Sequence, residues 1–145
     1  MLALLLITLV TGWLAACGSA LDRAGRGSVD TLPLQAEASG VVIRLTDVET
    51  ASDATVIRLE LTLVEREVTQ DTFLPITPER IETQGIGGDP QTFGSIRQYP
   101  VRDGWFALDV RLGPIVDPAV GATISVTSVG VLQPDGHTYK DVRGP

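Results

Sequence analysis

Residues 40–63 read GVVIRLTDVETASDATVIRLELTL, and apolar side chains alternate with polar ones along both halves of this stretch. Alternation with a period of two is typical of β-strands that bury one face and expose the other. The polar turn Ser52-Asp53-Ala54 separates the two halves, so we predict two neighbouring antiparallel strands. Their expected core-facing residues are Val41, Ile43, Leu45, Ile57, Leu59, Leu61 and Leu63.

Further strands are predicted towards the C-terminal end. Residues 105–112 alternate in the same way after an Asp-Gly turn. Residues 122–132 are rich in Val, Ile and Thr and change phase after Val126, which indicates a β-bulge. The Pro134-Asp135-Gly136 turn then leads into a strand at residues 137–142.

The middle of the chain, residues 66–103, is less regular because it contains four prolines and a glycine-rich run. We expect a strand at 72–76, one helical turn at 78–81 and another strand at 92–98. The run Gly85–Gly88 lacks the Lys-Ser/Thr and the following helix of a phosphate-binding loop, and is predicted to be a flexible loop.

The N-terminal seventeen residues, MLALLLITLVTGWLAAC, combine an apolar run with a cysteine motif. The run Leu2–Val10 has the length of a signal-peptide core and is too short to span a bilayer. The segment ends in Leu14-Ala15-Ala16-Cys17-Gly18, which resembles the lipobox of bacterial lipoproteins. That resemblance implies a diacylglyceryl group on the Cys17 thiol and cleavage between Ala16 and Cys17.

Two alternatives to the lipobox remain: an incidental cysteine behind an ordinary secretory signal, and an uncleaved N-terminal helix. The lipobox is favoured because position, composition and motif agree, and because lipidation accounts for the single cysteine of an exported chain. The segment departs from the usual pattern because no Lys or Arg precedes the apolar run. Either the true start lies upstream or the signal is weak.

The sequence therefore divides into a signal peptide (1–16), a lipidated cysteine with a flexible linker (17–39) and a β domain (40–145). About seven short, one-sided strands predict an all-β fold, an antiparallel β-sandwich. The pattern is similar to the immunoglobulin-like domains of bacterial lipoproteins, without the antibody Cys…Trp…Cys spacing. Because the chain stops directly after a predicted strand, we expect a truncated C-terminus or an open edge that invites pairing with another chain.

Charge and composition exclude several functions. The formal net charge is −7, and every charged side chain follows Cys17. Such a surface repels phosphates, which disfavours nucleic acid as a partner. One histidine, His137, and one cysteine are too few for nucleophilic catalysis or a zinc or copper site. We expect no enzyme activity and no cofactor.

Asp47, Glu49 and Asp53 cluster around one predicted turn and form the only metal candidate, a calcium site. Their spacing matches no EF-hand loop, and acidic loops are expected on a chain of this charge. Trp105 is predicted on an outer strand face, and Tyr99 precedes it. Exposed aromatic rings stack on sugars or anchor protein partners.

The alternative for Trp105, which the sequence favours, is packing beneath the irregular segment 66–103 or across the end of the domain. Taken together, these patterns predict a non-enzymatic protein that is lipid-anchored in the cell membrane or outer membrane and faces outside the cytoplasm. Its β domain would bind an envelope protein or serve a structural assembly. The alternative is a carbohydrate- or Ca²⁺-binding module.

Overall fold

The computed structural model describes residues 7–8 and 32–143, and it confirms an all-β chain with no α-helix among those residues. Two short 3-10 helices lie at Pro78–Arg80 and Pro90–Thr92. In these ranges no helix has the length and hydropathy of a membrane span. The strands are β1 (Ile7–Thr8), β2 (Leu34–Ala38), β3 (Val41–Thr50), β4 (Thr55–Leu63), β5 (Ile81–Gln84), β6 (Gly94–Gln98), β7 (Phe106–Leu112), β8 (Ala122–Val126), β9 (Ser128–Leu132) and β10 (Tyr139–Arg143).

The largest sheet is antiparallel and has the strand order β2-β3-β4-β7-β6. The two strands predicted first, β3 and β4, pair from Val41 opposite Leu63 to Thr50 opposite Thr55, with a register shift after Leu45. Their alternation places the apolar set in the core, as expected. Strand β4 is therefore the middle strand of the sheet, flanked by β3 and β7.

The linker prediction for residues 17–39 is wrong at its C-terminal end. Residues Leu34–Ala38 form β2 and pair along their whole length with β3. Ala36 and Ala38 are buried against the core. Alanine is a poor strand former with little apolar surface, so this strand carries only a weak sequence signal. The domain begins before Gly40.

A second group of strands centres on β8 and β9, which are separated at Thr127, where the predicted change of phase occurs. Strand β5 pairs with β8 on one side, and β10 pairs with β9 through the predicted tight turn, in which Gly136 has φ 73°. The two-residue strand β1 pairs in parallel with β8 at Ala122 and Thr123. Apart from β1, the predicted signal peptide and Cys17 lie outside the described residues.

The irregular middle of the chain follows the prediction in part. The helical turn at Pro78–Arg80 and the strand β6 are both present. The predicted strand at 72–76 is reduced to a single bridge between Phe73 and Val131. Pro75 ends it because proline has no N–H to donate to a ladder.

One hydrophobic cluster joins the large sheet to the smaller strands. Leu59, Phe106 and Leu108 of the large sheet and Ile124 of β8 are fully buried in it. The rings of Phe73 and Phe106 lie 5.7 Å apart between centroids. The described residues thus share one core.

The glycine-rich run Gly85–Gly88 was predicted to be a flexible loop, and this is wrong. Ile86 forms a bridge with Ile115, and Gly87 N–H donates to Pro114 O at 2.8 Å. A Cβ atom on Gly113 would lie 1.7 Å from the carbonyl oxygen of Gly87. The glycines here serve the close approach of two backbone segments.

We expect Gly113→Ala to lower the free energy of unfolding by about 2–3 kcal/mol, because the added methyl group overlaps a backbone carbonyl. Urea denaturation measures the loss. Gly87→Ala is the matched control, since the nearest atoms to its Cβ would be Val116 Cγ2 at 3.4 Å and Pro114 O at 3.7 Å, which are ordinary van der Waals contacts. Equal losses in the two variants would contradict the close approach as the cause.

Candidate functional site

The outer face of the large sheet carries charges that alternate in sign from strand to strand. The register sets Asp47 of β3 beside Arg58 of β4, and Arg58 beside Asp109 of β7. Asp109 lies beside Arg97 of β6. Opposite charges on directly facing residues stabilise a sheet, so this row reinforces the register that the core residues impose on the other face.

Arg58, Asp109 and Tyr99 form a closed network at the centre of this face. Arg58 Nε donates to Asp109 Oδ1 at 2.9 Å, and Arg58 Nη2 donates to the Tyr99 hydroxyl at 2.8 Å. That hydroxyl donates in turn to Asp109 Oδ2 at 2.7 Å. Asp109 is only 8% exposed, so the three side chains hold one geometry.

The network determines the ionisation of Asp109. Burial alone raises the pKa of this carboxyl, but the hydrogen bonds from Arg58 and Tyr99 and the nearby positive charges outweigh it and hold the pKa below its usual value. The same hydrogen bond raises the pKa of Arg58. Both groups are therefore charged at neutral pH.

Two aromatic rings on this face are covered in part by arginines. The Arg44 guanidinium lies 3.7 Å from the Trp105 ring centroid, and Arg44 also pairs with Glu60. Arg58 and Arg97 lie 4.7 Å and 5.0 Å from the centroid of the Tyr99 ring. Each contact is a cation–π interaction.

These side chains surround a concavity of about 670 Å³, which we call the aromatic–arginine groove. Both aromatic residues singled out from the sequence line it, and Trp105 is half-buried with its ring against Arg44. The side chain that covers the Trp105 ring is Arg44 of β3. The groove is lined by Arg44, Arg58, Glu60, Tyr99, Pro100, Val101, Arg102, Asp103, Trp105 and Ala107.

A tight turn fixes one end of the groove. Arg102 and Trp105 exchange two backbone hydrogen bonds of 3.1 and 2.9 Å. Asp103 and Gly104 between them have φ 52° and 79°, the backbone of a type I′ turn, for which Asp-Gly is a strong sequence signal. Thr62 Oγ1 donates to Gly104 O at 2.7 Å and ties the turn to β4.

The sequence analysis did not single out four charged groove residues, Arg44, Arg58, Glu60 and Arg102, or Asp109, which holds Arg58 in place. The alternation of β3 and β4 does place the first three on the solvent face. What the sequence lacks is the register that sets Asp109 opposite Arg58, across 51 residues. A charged residue at an exposed strand position is usually only solvated, so no local pattern distinguished Asp109 from the other charged residues on the sheet.

The structure does not assemble the calcium candidate. Asp47 and Glu49 lie on β3, where Asp47 Oδ1 accepts from Val48 N–H. Asp53 lies in the following turn and pairs with Arg111 at 3.3 Å. In the described part of the chain, no three His, Cys, Asp or Glu side chains gather as metal ligands.

No family model, curated protein or solved structure matches this chain. Function is therefore inferred from the groove and the sequence motifs alone.

We expect Asp109→Asn to lower the free energy of unfolding near pH 7 by about 1–3 kcal/mol, because Arg58 loses a charged hydrogen-bond partner. The folded pKa of Asp109 lies below its unfolded value, so its ionisation stabilises the fold above the unfolded pKa of about 3.9 and this contribution is lost as pH falls through the folded pKa. The difference between wild type and variant should shrink accordingly.

Urea denaturation between about pH 7 and pH 2 measures this difference. Glu65→Gln, at an exposed carboxylate, is the control and should change stability little at any pH. A loss in Asp109→Asn that stays constant down to the lowest pH would show that the carboxylate charge is not the cause.

Proposed function

We propose that this chain is a non-enzymatic, lipid-anchored envelope protein whose β domain binds a protein partner through the aromatic–arginine groove. We further propose that the large sheet and the strands around β8 and β9 form an immunoglobulin-like β-sandwich. The shared core of the two strand groups supports the sandwich. The motif at Leu14–Cys17 supports the anchor.

The convergence of Trp105, Tyr99 and three arginines in one groove carries the proposal. Tryptophan, tyrosine and arginine are the residues most enriched in the hot spots of protein interfaces. Arg102 is exposed, and within the described residues its guanidinium has no hydrogen bond or ion pair; its hydrogen bonds to Trp105 are made by the backbone alone. Its guanidinium is free to donate to a carboxylate or a carbonyl of the partner.

The groove is also held rigid before any partner arrives. Arg44 is fixed by Glu60 and the Trp105 ring, and Arg58 by Asp109 and Tyr99. Ordering long side chains on binding costs conformational entropy and opposes association. In this groove the side chains are already ordered in the folded chain, so less entropy is lost when a partner binds. Such a surface favours recognition of one partner geometry.

A carbohydrate ligand is the alternative, and the half-exposed Trp105 ring in a groove of this size favours it. Against it stands the position of Arg44, whose guanidinium covers one face of that ring at 3.7 Å. A sugar needs an open ring face on which to stack. The calcium form of the alternative has no support, since Asp47, Glu49 and Asp53 do not converge.

The anchor and the domain fit together in this proposal. Cleavage before Cys17 would leave about fourteen residues between the lipid and Leu32, the first described residue after Cys17, a span of roughly 45 Å when extended. Two or three acyl chains hold a protein stably at a bilayer, whereas one does so marginally. The groove would then stand clear of the headgroups.

A photoreactive residue at position 102, introduced into the protein in its native cell, is expected to form one discrete protein adduct upon illumination. Trp105→Ala should reduce the adduct at least tenfold, because a hot-spot residue contributes about 2 kcal/mol. The same probe at Val120, which is exposed and outside the groove, is the control. The absence of an adduct at position 102, or the same adduct at both positions, would refute the protein partner.

Arg44→Ala separates the two ligand classes. Its removal uncovers the Trp105 ring, so retention on immobilised polysaccharide should rise if the ligand is a sugar. If the partner is a protein, the adduct should instead weaken, because a hot-spot arginine is lost. Native gel retardation and crosslinking yield measure the two outcomes side by side.

Lipidation of Cys17 is tested by metabolic labelling with palmitate. We expect the wild-type chain to carry the label and Cys17→Ser to lose it completely, with accumulation of the uncleaved precursor. Labelling that persists in Cys17→Ser would disprove the anchor.

A further inference from the structure

The sequence contains two Asp-Gly pairs, and both lie in exposed tight turns. Asp103-Gly104 forms the turn at the end of the groove, and Asp135-Gly136 lies in the turn between β9 and β10. In such a pair the glycine leaves its own amide nitrogen unshielded, so this nitrogen can attack the aspartate side chain. The two turns differ in how these two reacting groups are bonded.

In the turn between β9 and β10 both reacting groups are engaged. Asp135 Oδ1 accepts hydrogen bonds of 2.9 Å from the N–H groups of His137 and Thr138, and the Thr138 hydroxyl donates to Asp135 Oδ2. The Thr138 hydroxyl and these N–H groups hold the pKa of Asp135 below its usual value. Gly136 N–H donates to Gln133 O at 3.0 Å. Attack here requires several hydrogen bonds to break first.

In the groove turn both reacting groups are free. Within the described part of the chain, the Asp103 carboxylate has no hydrogen bond or ion pair, and Gly104 N–H donates to no acceptor. The hydrogen bonds of this turn are made by its neighbours, between Arg102 and Trp105 and from the Thr62 hydroxyl to Gly104 O. A Cβ atom on Gly104 would meet no atom within 4 Å, so there is also space at this position.

We propose that Asp103 is a site of spontaneous isoaspartate formation and that this modification releases the turn at the end of the groove. The modification itself does not depend on the proposed function. Only its effect on partner binding does, because that effect requires the groove to be the binding site.

The chemistry needs water alone. The Gly104 nitrogen forms a bond to Cγ of the protonated Asp103 carboxyl, and the hydroxyl of that carboxyl leaves with the amide proton as water. The product is a cyclic imide. Water then adds to one of its two carbonyls: opening at Cγ restores aspartate, and opening at the main-chain carbonyl gives isoaspartate with a free α-carboxylate. Each hydrolysis brings one oxygen from the solvent into the chain.

Isoaspartate carries the main chain through Cβ and Cγ, which lengthens the turn by one carbon, about 1.5 Å. A type I′ turn joins its strands through two residues of fixed geometry. The longer path breaks the paired backbone hydrogen bonds between Arg102 and Trp105, which fix the relative position of these two groove residues. The groove therefore changes with the age of the molecule.

The site is tested by incubating the full chain, folded in detergent, in H₂¹⁸O at neutral pH. Trypsin digestion in ordinary water then separates the two pairs, because Arg111 lies between them. We expect ¹⁸O to enter the peptide with Asp103 roughly tenfold faster than the peptide with Asp135, the factor that one or two hydrogen bonds represent. Asp117 shares the second peptide but precedes Pro118, which has no N–H to lose.

Two controls separate folding from intrinsic reactivity. In urea both peptides should be labelled at similar rates, and Asp103→Glu should abolish the label in the first peptide because the longer side chain forms a six-membered ring slowly. Equal labelling of the folded peptides, no labelling at Asp103, or a difference that persists in urea overturns the site.

Release of the turn is measured by amide hydrogen exchange of the aged chain in NMR. The N–H groups of Arg102 and Trp105 should exchange at least tenfold faster in the isoaspartate form, whereas Tyr99 N–H, which donates to Ala107 O, should stay protected. Unchanged protection at Arg102 and Trp105 would overturn the release. No partner takes part in these measurements, so they stand even if crosslinking refutes the protein partner.

Discussion

Strand β4 serves the core and the groove at once, because its side chains alternate between the two faces of the large sheet. Ile57, Leu59 and Leu61 are almost completely buried on one face. Arg58 and Glu60 lie between them on the other face and bind Asp109 and Arg44. A slip of one residue in register would bring arginine into the core and leucine into the groove. The core therefore fixes the position of the charges.

This coupling explains why the groove is rigid although its residues come from distant parts of the chain. Arg44, Arg58 and Asp109 lie on three adjacent strands whose register is set by buried side chains on the opposite face. Tyr99 joins them because its N–H donates to Ala107 O, which extends the pairing of β6 and β7. The outer network adds hydrogen bonds to a register that hydrophobic burial already selects.

Alternation of apolar and polar residues made β3, β4 and β7 predictable, and the turn residues made the hairpin at Gly136 and the turn at Gly104 predictable. Strand β2 was missed since alanine gives little contrast between its two faces. The glycine run 85–88 was misread because glycine marks both flexible loops and close backbone contacts. In each case the missing information was a tertiary neighbour.

The groove was predictable only in its aromatic residues. Exposure of Trp105 follows from the phase of its strand, and this can be read locally. The contact of Arg44 with that ring depends on which strands are neighbours, and a local pattern does not contain it. The sequence could therefore name the side chains able to bind, while the arginines that shape the groove required the sheet order β3-β4-β7-β6.

The pairing of charges also bears on where a partner would bind an acidic chain. Four of the ten arginines, Arg44, Arg58, Arg97 and Arg111, lie on the outer sheet face, and each contacts a carboxylate or an aromatic ring. Carboxylates without such partners keep strong hydration, and a binding partner has to displace that water. The side chains of Arg44, Glu60 and Asp109, which are 30%, 21% and 12% exposed, have lost much of their water during folding. Under the proposed function, a partner that binds this outer face would displace little water from these side chains, since their polar groups already satisfy one another.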